Sequence, residues 1–146
     1  MIGALFSSRS AGMLHAHRMK QNILLTVTSL LSTLLLSIHV TDDIVRGVDV
    51  WGRQSLIGVL ILVVLLYGAL VLAERRSGRI IMLLGGLMAA GMPVIHWRVN
   101  MTKSGAFFFI WMLFALGAIG TLTAILAARA LWSGRMTAAA HESPDR

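Results

Sequence analysis

The residues best equipped for chemistry in this 146-residue chain are two histidines and two aspartates. His39 is followed three and four residues later by Asp42 and Asp43, and His96 stands just before Trp97. On a continuous helix, residues three and four apart are surface neighbours, so both carboxylates would lie near the His39 ring. Imidazole with carboxylate suits Zn, Fe or Mn, which makes His39, Asp42, Asp43 and His96 a candidate metal set. His39 and His96 are also candidate cofactor ligands, axial to a haem or singly to a chlorin. The plainer reading is a set of interfacial ion pairs that locks the loops. Carboxylates at a helix C-terminus face the negative end of its dipole, and Arg46 stands at i+4 and i+3 to offset them. Short spacings of this kind often match by chance, so the plainer reading takes precedence.

Other chemistries find no support. The chain has no cysteine, which excludes disulfides, thiolate zinc sites, iron–sulfur clusters and cysteine nucleophiles. It shows no phosphate-binding glycine loop after a strand, no nucleophile elbow and no HExxH. His15 and His17 lie in a basic stretch and His141 in the final segment, where solvation is the default. No catalytic residue is assigned, and the expectation is a protein that is not an enzyme.

Any such site must be positioned by membrane helices. Hydrophobic residues make up 57% of the chain and charged residues only 13%, well below the roughly 25% of soluble domains. The mean hydropathy is +0.80. Four segments approach the ~20 apolar residues that a transmembrane helix needs. They run over residues 23–40, 56–73, 80–97 and 106–128, with charges between them rather than within them. The second is apolar on every face, which argues for helices over alternating barrel strands. The first reads as a retained span rather than a cleaved signal, because it is long and no small-x-small cleavage site follows it.

Lysine and arginine set the orientation. Residues 1–22, the second loop and the final segment hold Arg9, Arg18, Lys20, Arg75, Arg76, Arg79, Arg129, Arg135 and Arg146. The first and third loops hold Arg46, Arg53, Arg98 and Lys103. That bias places both termini in the cytoplasm, and His39, Asp42, Asp43 and His96 together on the outer side. The net charge of +7 is then mostly topological and does not imply nucleic acid.

Packing between such helices depends on close approach and polar contacts. Gly85 with Ala89, and Gly86 with Ala90, form small-xxx-small pairs in the third span, and Pro93 is expected to kink it. Thr26, Ser29, Thr33 and Ser37 share one face of the first span, with Thr28 and Ser32 on another. Packing is preferred to a conduction path, since no ionisable group sits mid-span. Trp51, Trp97, Phe107, Phe108, Phe109 and Trp111 read as an outer aromatic belt and Trp132 as an inner one. Phe107 to Trp111 could alternatively contact a partner helix or a flat cofactor.

The strings HVTDDIVRG, RRSGRIIMLLGGLMAAGMPVIH and GAFFFIWMLFALG resemble uncharacterised small four-helix bacterial inner-membrane proteins. That resemblance implies the architecture and brings no activity with it. Arginine in excess of lysine, with abundant Ala and Gly, also fits a GC-rich bacterial genome. The reading is therefore an all-α polytopic membrane protein with four transmembrane helices. It has a juxtamembrane segment at 1–22, a membrane domain at 23–132 and a cytoplasmic tail at 133–146. Its expected role is an accessory or structural subunit in the bilayer, packing against other membrane proteins or itself. The alternatives are a cofactor-binding redox protein using His39 and His96, and then a small transporter or channel.

Overall fold

The described residues form four α-helices: α1 (Ile2–Val45), α2 (Arg53–Leu70), α3 (Arg76–His96) and α4 (Ala106–His141). The computed structural model describes the backbone over residues 2–45, 53–96 and 106–141, and side chains over 19–42, 44–45, 56–96 and 107–134. Among the described residues, three helices are long and apolar enough to cross a membrane, over Met19–Asp42, Arg76–His96 and Phe107–Gly134. α2 offers a shorter apolar stretch, Leu56–Leu70. Its 18 residues reach about 27 Å, slightly under a typical hydrocarbon thickness of ~30 Å.

The helix bounds differ from the hydropathy bounds for a physical reason. Apolar residues were expected to carry the second span to Ala73, but Val71–Arg75 form the turn into α3. Val71 N and Leu72 N both donate to Tyr67 O, at 2.9 and 3.3 Å, and Arg75 N donates to Leu72 O at 2.9 Å. The first two satisfy Tyr67 O, one of the carbonyls left over at the end of α2, and the third closes the turn itself. Gly78 permits the corner, because a Cβ there would collide with the Leu72 carbonyl. At the other ends, α1 and α4 run on as helix through 2–22 and to His141, beyond the apolar segments.

Two core clusters fix the register. Leu25 of α1 and Met82 of α3 meet Leu126, Ala127 and Ala130 of α4. Further along, Leu36, Leu65, Ala89 and Leu116 join all four helices. α1 and α3 are therefore parallel, and α4 is antiparallel to both. α2 runs the other way between α1 and α3, with Gly58 beside Val40, Leu65 beside Gly85 and Gly68 beside Ile81. Short as it is, α2 returns the chain from one end of the bundle to the other.

The most extensive interface is α3 on α4. Here the backbones nearly touch. A Cβ on Gly86 would lie 2.7 Å from Ala124 N, and one on Gly120 would lie 2.6 Å from Ala90 N. Pro93 stays within α3, and its ring packs where a Cβ on Gly117 would sit, 2.8 Å from Cγ. The small-residue face of α3 is thus filled from within the chain.

Gly86→Ala should destabilise the protein by about 1–3 kcal/mol, because backbone atoms rather than mobile side-chain ends oppose the new methyl. Gly91→Ala should be neutral or stabilising by up to ~1 kcal/mol, since its Cβ would meet nothing within 4 Å among the described residues. Thermal unfolding of both variants in mild detergent checks the contrast.

Candidate functional site

Three packing stripes converge at one end of the bundle. On α1, Leu25, Ser29, Ser32, Leu36 and His39 are buried at alternating spacings of four and three. On α3, Met82, Gly85 and Ala89 are buried, and the stripe runs on through half-buried Met92 to His96. On α4, Phe109 heads a stripe through Leu113, Leu116, Gly120 and Thr123. Helical periodicity therefore aims His39, His96 and Phe109 inward at the same level.

Their rings meet. His39 and His96 have centroids 4.8 Å apart at 86°, an edge-to-face contact. Phe109 lies 5.8 Å from each. The two edge-to-face contacts of His96, at 86° to His39 and 69° to Phe109, suit ring quadrupoles, which disfavour a face-to-face sandwich. His39 is only 1% exposed, and His96 is half-buried. The expected aromatic run thus divides. Phe107, Phe108 and Trp111 face outward, while Phe109 turns in against the histidines. The signal for Phe109 was its place at the head of the α4 stripe.

His96 Nδ1 lies 3.1 Å from Met92 O. A carbonyl oxygen only accepts, so Nδ1 carries a proton and donates. Donation to a carbonyl near a helix C-terminus also suits the dipole there. Asp42 is half-buried one turn beyond His39 on α1, which stays helical through Val45. The side chain of Asp43 lies outside the described residues, as do Arg46, Trp51, Trp97 and Arg98, so the expected pairing of an aspartate with Arg46 falls there too. The side chains of His15, His17 and His141 also lie outside them.

This geometry discriminates between the candidate chemistries. Two axial ligands place their nitrogens about 4 Å apart with the rings pointing away, so that centroids stand roughly 6 Å apart. At 4.8 Å the pair leaves no room for a macrocycle between the rings. Adjacent positions on one ion remain compatible with that spacing. Among the described residues, however, no group of three or more His, Cys, Asp or Glu side chains is arranged to hold a metal.

The hydroxyls of α1 behave as packing groups. Thr28, Thr33, Ser37 and Thr41 donate to carbonyls one turn back, those of Leu25, Ser29, Leu34 and Ser37. One contact crosses helices, with Ser32 Oγ 3.1 Å from Thr123 Oγ1. Thr123 already donates to Ile119 O at 2.9 Å, so Ser32 is the donor between them. Hydroxyls whose proton is given to their own backbone satisfy themselves locally within the helix.

No protein-family model, curated protein or solved structure matches this chain. The resemblance to small bacterial four-helix proteins therefore gains nothing from these comparisons, and the site rests on its own geometry.

His39→Ala should cost about 2–4 kcal/mol through loss of a buried ring. Combined with His96→Ala in a double-mutant cycle, it should show a coupling of about 0.5–1.5 kcal/mol. Strict additivity would mean that the rings do not interact. The corresponding cycle for Ser32→Ala and Thr123→Ala should give about 0.6 kcal/mol, the average for hydrogen bonds between membrane helices.

Proposed function

We propose that this chain is an integral membrane protein that crosses a bacterial inner membrane four times, with both termini in the cytoplasm. It serves as an accessory or structural subunit, packing against other membrane proteins or a second copy of itself. The observation that carries this reading is the apolar outer surface. The three long apolar windows bury only 39, 28 and 39% of their residues inside the fold. Leu31 and Leu34 of α1, Leu60 and Val63 of α2, Leu84 and Leu87 of α3, and Leu122 and Ile125 of α4 all face outward. Soluble monomers rarely expose contiguous apolar patches beyond a few hundred Å².

The parallel course of α1 and α3, with α2 returning between them, supports four crossings. The nine-to-four cation bias supports cytoplasmic termini. Two features support a subunit role. α2 is short for a bilayer, a mismatch that association with neighbours relieves. In addition, Phe107, Trp111 and Phe114 form an exposed aromatic ridge at i, i+4 and i+7 along α4. That ridge spans about 10 Å of helix, deeper than a headgroup-level belt requires. The glycine stripes, filled from within, add no support.

The cysteine-free chain suits topology mapping with single cysteines. Ser10→Cys, Ser77→Cys and Ser143→Cys should be shielded from a membrane-impermeant thiol reagent in intact cells, while Asp49→Cys and Ser104→Cys should react. Labelling of Ser10→Cys and Ser143→Cys from opposite sides would contradict four crossings. In mild detergent the protein should run larger than a monomer, and Trp111→Ala with Phe114→Ala should reduce it to one. A wild-type chain that is strictly monomeric, with no stoichiometric partner, would contradict the subunit role.

A further inference from the structure

At the end of the bundle opposite the histidines, α1, α3 and α4 enclose a cleft of about 80 Å³ lined by Gln21, Asn22, Arg79, Ala130, Ser133 and Gly134. A single water needs only about 10–15 Å³ of such space, so the cleft admits a larger polar group. Arg79 is the cation that sits on a packing face. It lies one turn before Met82, in line with Gly86 and Ala89, whereas Arg75 and Arg76 are exposed. Its Nη1 reaches Ala130 O at 3.4 Å, a long bond. Its Nε is buried and takes no hydrogen-bond partner among the described residues. Among the described residues no carboxylate lines the cleft.

A half-buried guanidinium with an unused N–H is costly unless an anion completes it. Nε and a neighbouring Nη form a planar fork that matches two oxygens of a phosphate. Arg79 also lies in the first turn of α3, where the helix dipole favours negative charge. Gln21 and Asn22 bring amide groups to the same wall, while the Ser133 hydroxyl already donates to Arg129 O at 2.9 Å. On the proposed topology this cleft lies at the cytoplasmic interface, where anionic headgroups are found.

We infer that the Arg79 cleft binds the phosphate of an anionic phospholipid headgroup. The inference rests on the membrane reading, and sedimentation with vesicles scores membrane association separately, so the two can fail independently.

The test uses the purified full chain. Native mass spectrometry and thermal unfolding are read with phosphatidylglycerol, phosphatidylcholine or inorganic phosphate added. Phosphatidylglycerol should be retained at about one copy per chain and raise the unfolding temperature, while phosphatidylcholine should not. Arg79→Gln should weaken retention at least about tenfold, the scale of a lost charge-assisted hydrogen bond. Gly134→Leu should do the same by filling the cleft, since a Cβ there would lie 3.7 Å from Arg79 Nη1. This variant keeps the charge, so it tests the cleft even where Arg79→Gln does not fold. Arg75→Gln and Arg76→Gln should change retention less than about twofold, as exposed charges do. Equal losses in all the arginine variants would overturn the proposal by showing attraction to charge alone. So would stabilisation by inorganic phosphate without any by lipid, or equal retention of both lipids.

Discussion

The near-contact of the α3 and α4 backbones is the constraint on which the rest of the structure depends. Gly86 against Ala124, Gly120 against Ala90 and Gly117 against Pro93 hold the two helices at one separation and one register over much of their length. Among apolar helices in lipid, burial from water contributes little to association, and close packing must do most of it. That rigid pair then presents a shared groove to α1, whose Leu25, Ser32 and Leu36 enter it in order.

A single register therefore decides both ends of the molecule. At one end it brings His96 and Phe109 to a common level and lets α1 deliver His39 between them. At the other it sets Arg79 beside Ala130 and Gly134, with Gln21 and Asn22 of α1 closing the cleft. The two ends differ in chemistry because the stripes carry rings at one and a cation with amides at the other. Between them a side-chain hydrogen bond from Ser32 to Thr123 joins α1 to α4.

Much of this was legible in the sequence, and the misses are instructive. Hydropathy located the helices, and an even number of reversals placed His39 and His96 at the same end. The small-residue spacing identified the tight face of α3. What hydropathy cannot see is backbone direction. Val71, Leu72 and Ala73 are as apolar as the residues before them, yet the corner closed by Gly78 takes them out of α2. Nor could composition separate Phe109 from Phe107 and Phe108, since only the phase of the α4 stripe turns one ring inward. Arg79 counted merely as a topological cation, although its phase with Met82, Gly86 and Ala89 marked it as inward-facing. The hydroxyl face of α1 invited a polar path, but two of its four groups, Thr33 and Ser37, donate to their own backbone, and Ser29 is buried in the core stripe.

One core register organises the whole bundle, and an engineered disulfide reads that register. Ser32→Cys combined with Thr123→Cys places two sulfurs where oxygens now stand 3.1 Å apart, in a chain with no other cysteine. Oxidation in native membranes should cross-link this pair within one chain and in high yield. The shifted pair, Leu31→Cys with Thr123→Cys, should remain reduced, because Leu31 faces outward. Cross-linking of the shifted pair in preference to the first, or of neither, would contradict the account.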